Sequence, residues 1–200
     1  MKHKNWMIAG MAGLIALGLA GCGNDKNDKD DKNHDAKTEE KSKDKDDQNI
    51  DATKYAASPQ DLAKEFQKQY KGYDISKIKV DEEDGTVIYE INGYNPKDKK
   101  EATLQVDASK TSKVVHEQSE TADKNDSDDT RTFDVNKVKV TPEKAMDQAK
   151  KDANLKSAPT EWKLEKDRDG KVIYKVEFNK DNKTVAIDAD SGKEVKTVDD

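Results

Sequence analysis

The chain repeats itself, and that limits the folds open to it. Ile50-Asp51-Ala52-Thr53-Lys54-Tyr55-Ala56-Ala57-Ser58-Pro59 aligns without a gap on Phe133-Asp134-Val135-Asn136-Lys137-Val138-Lys139-Val140-Thr141-Pro142. Asp, Lys and Pro are identical in the two stretches, and Ser58 is matched by Thr141. Further on, Asp84-Gly85 and Val87-Ile88-Tyr89 match Asp169-Gly170 and Val172-Ile173-Tyr174, and Val106-Asp107-Ala108 matches Ile187-Asp188-Ala189. The spacing between copies shifts by a few residues from block to block, as loop insertions produce. A repeat is one supersecondary unit used again. The chain therefore carries two copies of one small module, at 50–118 and 133–200, joined by an acidic, Asp- and Ser-rich linker at 119–132.

Each copy reads as a helix followed by an antiparallel meander. Ser58 or Thr141 is placed to cap a helix whose first residue is Pro59 or Pro142, where a missing N–H costs nothing. Leu62, Phe66 and Tyr70 then share one helical face, and Ala145, Met146, Ala149 and Ala153 do the same with smaller side chains. Ile78 and Val80 alternate, as do Trp162 and Leu164. Asp84-Gly85 and Asp169-Gly170 are hairpin turns in which both central positions favour φ > 0. Val87, Tyr89, Ile91 and Val172, Tyr174, Val176, Phe178 mark the return strands, Leu104 and Val106 or Val185 and Ile187 a third, and Val195 and Val198 a last one. The expected fold class is α+β: two repeated modules, each with one helix packed on a three- to four-stranded antiparallel sheet. The helix covers one face and alternation leaves the other polar. A module of roughly 65 residues is marginal without disulfides, so the two are expected to lean on each other.

The N-terminus reads as an address. Lys2 and Lys4 precede an apolar run from Trp6 to Ala20, which is shorter than the ~20 residues of a comfortable transmembrane helix. The run closes on Leu19-Ala20-Gly21-Cys22, which looks like a bacterial lipobox; Cys22 is the only cysteine. Residues 1–21 are then a lipoprotein signal peptide, and Cys22 carries diacylglycerol as the new N-terminus. Two acyl chains anchor stably where one does not. The formal net charge of −6 becomes more negative once Lys2 and Lys4 are removed. An anionic membrane surface repels such a chain, so the lipid must do the holding, and nucleic acid, which calls for a basic patch, is excluded as a partner. With 40% charged residues and 32% apolar, one core cannot use the whole chain. Residues 22–49, almost entirely Asp, Lys, Asn and Glu, read as a disordered charged tether. The expected location is the outer face of the cytoplasmic membrane, and abundant Lys, Asn and Asp lean toward a low-GC Gram-positive cell.

Three stretches carry a resemblance to a known family: Thr141-Pro142-Glu143-Lys144-Ala145, Asp169-Gly170-Lys171-Val172-Ile173-Tyr174-Lys175-Val176-Glu177-Phe178, and Asp188-Ala189-Asp190-Ser191-Gly192-Lys193-Glu194-Val195. Together they resemble the PepSY domain, here in tandem. The first copy departs from the pattern: Ser109-Lys110-Thr111-Ser112 replaces the Gly-containing turn, and Gly93 stands where Phe178 does. The family occurs in pro-regions of thermolysin-type metalloproteases and in bacterial envelope proteins. The resemblance implies a role in restraining or chaperoning proteases; with no His-Glu-x-x-His in the chain, any such action falls on another molecule.

No residue pattern points to catalysis. Glu165, Asp167, Asp169 and Gly170 look like the start of a calcium loop, but position twelve, which needs a bidentate acid, is Val176; a hairpin turn fits better, as it does at Asp188-x-Asp190-x-Gly192. Tyr89 and Tyr174 alternate with Val and Ile and read as core. His116 has no companion for metal or base chemistry. The expectation is a non-enzyme with no cofactor and no metal site. It binds an extracellular protease or another envelope protein, possible through strand addition to a sheet edge. The alternative is a structural or sensory envelope module that binds wall polymer or cations.

Overall fold

The structure is a computed structural model and describes residues 50–83, 85–111, 113–122 and 130–199. The lipobox Leu19-Ala20-Gly21-Cys22, the tether and most of the linker lie outside the described residues. The first copy runs from a 3-10 turn, Ala52–Lys54, through α1 (Pro59–Gln69) to β1 (Asp74–Glu83), β2 (Thr86–Asn95), β3 (Lys100–Asp107) and β4 (Val114–Thr121). The second runs from a 3-10 turn, Val135–Lys137, through α2 (Pro142–Asp152) to β5 (Glu161–Lys166), β6 (Val172–Phe178), β7 (Lys183–Asp188) and β8 (Glu194–Asp199). This is the α+β repeat that the sequence predicts, with four strands per copy.

The two meanders do not form separate sheets. They join edge to edge into one eight-stranded antiparallel sheet, ordered β4-β3-β2-β1-β5-β6-β7-β8. Across the join Lys77 faces Glu165, Ile78 faces Leu164 and Lys79 faces Lys163. Val80 pairs with Tyr89 in the first copy, and Leu164 with Tyr174 in the second. Lys79 and Lys163, one residue earlier on each strand, are thus equivalent positions, and they sit directly opposite each other. A local two-fold axis passes between them, so the chain is built like an isologous dimer whose halves are covalently linked.

Further bonds cross the join. Ala52 N–H donates to Pro159 O (2.9 Å), and Phe133 N–H, from the start of the second copy, donates to Ile75 O (2.9 Å). Gln60 Nε2 on α1 reaches Val135 O (3.1 Å) and Val138 O (3.0 Å), and Trp162 Nε1 donates to Tyr55 O (2.7 Å). Trp162 is fully buried between Tyr89 and Tyr174, its ring centroid 6.1 Å from each. Both copies feed one apolar core under the helices, which is how modules this small each gain enough burial.

The two halves fill that core differently. α1 buries Leu62, Ala63 and Phe66, while α2 buries Ala145, Met146 and Ala149. Phe66 and Ala149 occupy matching helix positions, and Gly93 and Phe178 matching strand positions. A Cβ on Gly93 would lie 2.7 Å from Phe66 Cε1 and Cζ and 2.9 Å from Asp74 O. A large helix residue over a strand glycine in one copy becomes a small helix residue over a strand phenylalanine in the other.

Three local expectations are corrected. Thr141 caps α2 through Lys144 N–H (3.3 Å), but Ser58 makes no such bond; its hydroxyl donates to Gln60 Oε1 (2.9 Å), which orients the Gln60 amide toward the second copy. Of Asp169 and Gly170 only the glycine takes positive φ (+85°). The turn is wider than two residues, closed by Asp167 N–H to Lys171 O and by Lys171 N–H to Asp167 Oδ1, both 2.8 Å. Finally, β4 runs to Thr121, past residue 118 and into the stretch read as linker. Its Glu, Gln, Ser and Thr residues are polar because every one of them is exposed, which hides a strand from any reading based on apolar alternation.

Candidate functional site

Joining the modules consumes the edges of β1 and β5 and leaves β4 and β8 as the free edges of the sheet among the described residues. All eight residues of β4 are exposed. The exposed large hydrophobic residues among the described residues are Val114 (37%), Val115 (47%), Val195 (42%) and Val198 (40%), two on each free edge and none elsewhere. The edges match in a further detail. On β4, His116 pairs with Gln105 and Val114 with Val106, so Val115 is the extra residue of a bulge. On β8, Lys196 pairs with Ala186 and Glu194 with Ile187, so Val195 is the extra residue. A bulge re-aims a side chain and twists the strand. Both edges thus display an unpaired valine at the same place, related by the two-fold axis.

The β4 edge is held in place before any partner arrives. Tyr70 Oη, at the end of α1, donates to Gln118 O (3.0 Å), and Tyr73 Oη lies 3.1 Å from Ser119 Oγ. Burial, with Glu117 close by, pushes the Tyr70 phenol above its ordinary range, so it stays a donor. Glu117 and Glu120 on β4, and Glu194 and Lys196 on β8, supply the charges that blunt such edges against self-pairing. His116 stands exposed on β4 opposite Gln105. An ordered edge with unpaired backbone groups and a projecting valine can accept an extended peptide as a ninth strand.

The face away from the helices is charged around the two-fold axis. Register places Glu90, Lys79, Lys163 and Lys175 in one row across β2, β1, β5 and β6. Lys79 Nζ is 2.5 Å from Asp81 and 3.8 Å from Glu90, Lys175 Nζ is 2.6 Å from Glu165, and Lys163 Nζ is 4.0 Å from Glu161. Burial pulls the Lys79 ammonium down, but Asp81 and Glu90 outweigh it and hold the group above its ordinary range. Glu161 pairs directly with Glu177. Burial, then the charge of Glu177, pushes its carboxyl up to about 7 despite Lys163 and Lys79. Acids and bases interleave on this face, and each of these ion pairs lies within one copy.

The remaining sequence candidates fall into structural roles. Tyr89 and Tyr174 are buried, and each hydroxyl fixes the segment ahead of its helix: Ala57 N–H donates to Tyr89 Oη (3.1 Å), and Tyr174 Oη donates to Val140 O (2.8 Å). Asp188 Oδ1 accepts from the N–H groups of Asp190 (3.1 Å) and Ser191 (2.7 Å) and from the Ser191 hydroxyl (2.8 Å), which makes it a turn former. Asp107 does the same in the first copy with Ser109, whose hydrogen bonds hold its carboxyl down at about 2. Among the described residues no group of three or more His, Cys, Asp or Glu is arranged to hold a metal ion. The free edges escaped the sequence reading because nothing local says which strands meet; the similar spacing of Val115 and Val195 after the two Val/Ile-Asp-Ala blocks, one residue apart, was the available signal.

The family model described as peptidase propeptide and YPEB domain, PepSY, matches residues 56–110 and 139–198. No curated protein matches the chain. Among solved structures, the crystal structure of a candidate lipoprotein from Clostridium difficile 630 is similar at a TM-score of 0.60 and 26% identity. The match covers 72% of this chain and 93% of that one.

Proposed function

The chain belongs to the PepSY family, with two copies of the domain, and from that premise we propose that it is a membrane-anchored extracytoplasmic lipoprotein that binds a protein partner along a free edge of its sheet. The anchor is the lipid on Cys22, within the lipobox Leu19, Ala20, Gly21, Cys22. The similarity to a candidate lipoprotein over nearly all of that protein's length supports the anchor. The partner is an extended segment of an extracellular protease or of another envelope protein, and the protein acts by binding, not by catalysis. The observation that carries the reading is the confinement of the exposed large hydrophobic residues, among the described residues, to β4 and β8, with a bulged valine on each. A strand added there and laid across a protease cleft would block it.

The test is an inhibition assay. Secreted proteases of the parent organism are mixed with the purified protein and their activity is followed. Loss of activity that is restored by Val115→Lys and Val195→Lys together supports the reading. Full activity at saturating protein, with no complex on a sizing column, contradicts it. The second reading, an envelope module that binds cations, is favoured by a cavity in the first copy.

A further inference from the structure

Near the β4 edge, on the charged face, lies a cavity of about 90 Å³ lined by Ser76, Asn92, Gly93, Glu101, Ala102, Thr103, Gln118 and Glu120. It arises where β1 is irregular. Ile75 pairs with Gly93 and Lys77 with Asn92, which leaves Ser76 as the extra residue of a bulge. The bulge turns Ser76 inward: it is 2% exposed, and its Oγ has no hydrogen-bond partner. Asn92 Nδ2 donates to Thr103 Oγ1 (3.0 Å), and Asn92 Oδ1 is likewise buried and unpartnered. Two orphaned buried oxygens in one cavity are costly unless something fills it.

The second copy shows what happens without the cavity. Thr160 stands at the position of Ser76 and is equally buried (3%), but its hydroxyl donates to Glu177 O (3.3 Å) and accepts from Asn179 N–H (3.4 Å). Phe178 replaces Gly93, and Val198 replaces Gln118. The orphaned hydroxyl is thus a property of the first copy and not of the module.

We propose that this cavity binds a hard divalent cation of the calcium class, held by Ser76 Oγ, Asn92 Oδ1 and the carboxylates of Glu101 and Glu120. The side chains that line it offer hydroxyl, amide and carboxylate oxygens, and no basic residue is among them. That is the ligand chemistry of calcium, which takes six to eight oxygens in irregular geometry, waters included. The site shares Gln118 and Glu120 with β4 but includes neither Val114 nor Val115, so cation binding is measured without a partner protein. It would tie β1, β2, β3 and β4 together, so the cation would stiffen the edge that Gln118 and Glu120 belong to.

The test is calorimetric titration of calcium chloride into the intact protein extracted from membranes in detergent, with thermal unfolding recorded in parallel. The expected result is one site per chain with a dissociation constant on the order of 10⁻⁴–10⁻³ M, the range of extracellular calcium modules. A rise in melting temperature should accompany it, and magnesium should bind more weakly. Glu120→Gln should weaken binding at least tenfold. Ser76→Ala should do the same while raising the melting temperature in calcium-free buffer, because it deletes a buried hydroxyl that lacks a partner; that rise also shows that the variant folds. Absence of heat and of any melting shift up to about 10 mM calcium would mean that the cavity holds water only. Equal affinity in wild type and in both variants would put the cation elsewhere on this acidic chain. Either result overturns the proposal.

Discussion

Phe66 and Gly93 form one packing unit, and exchanging their sizes is the sharpest test of the core. Gly93 is there because of space and not because of backbone conformation: it lacks positive φ, yet a Cβ would sit 2.7 Å from the Phe66 ring and 2.9 Å from Asp74 O. Gly93→Ala is therefore an overpacking change and should cost about 1–3 kcal/mol. Phe66→Ala empties a fully buried ring site and should cost about 3–5 kcal/mol. The second copy solves the same position with Ala149 and Phe178, both fully buried. Phe66→Ala combined with Gly93→Phe rebuilds that solution in the first copy. The double variant should be less destabilised than the sum of Phe66→Ala and Gly93→Phe measured singly, with a coupling energy on the order of 1–3 kcal/mol. The contact with Asp74 O is backbone and remains, so rescue is partial. The assay is urea unfolding of the protein followed by Trp162 fluorescence and far-UV circular dichroism. Additive losses within about 0.5 kcal/mol would refute the claim that the two copies exchange bulk across the helix–sheet interface.

Three other outcomes follow from the same geometry. Glu161 has a folded-state pKa of about 7 against an ordinary 4.5, so the folded protein holds the extra proton between those values. Stability should fall as pH rises from about 4.5 to 7 and level off above. Glu161→Gln should remove the slope and stabilise at pH 8 by at most about 3 kcal/mol, as read from melting curves against pH. Trp162→Ala deletes a fully buried ring and its bond to Tyr55 O, and should cost about 3–5 kcal/mol; in the unsubstituted protein, where Trp162 packs on Tyr89 of the other copy, both halves should unfold in one transition, with two separate transitions as the contrary result. Gln60→Ala removes two hydrogen bonds to Val135 O and Val138 O and should cost roughly 1–3 kcal/mol, a loss that amide exchange at Val135–Val138 would report locally.

The repeat made most of the fold legible. The recurring blocks, the Pro at each helix start and the alternation through Tyr89 and Tyr174 identify helices, strands and core face without any structure. What they cannot identify is how the copies meet. Lys79 and Lys163 read as solvent-facing strand residues, and nothing local says that they oppose each other on a two-fold axis. β4 was hidden for a related reason: an edge strand with no buried residue has no apolar period. Ser76 escaped because a bulge is a property of two strands, visible only when Ile75 and Lys77 are seen to face neighbouring partners. The lipidation proposed at Cys22 is the reverse case. It is read entirely from Leu19-Ala20-Gly21-Cys22 and its place after an apolar run, and no element of the fold bears on it.

The binding account stands on the two free edges, and backbone amide exchange reads them directly. The protein is mixed with a secreted protease that it retains on a column, and exchange is compared with the free protein strand by strand. The account predicts new protection confined to β4 or β8, lost when Val115 and Val195 are both changed to lysine. Protection spread over the helices or over the charged face, with both edges exchanging as in the free protein, would contradict it.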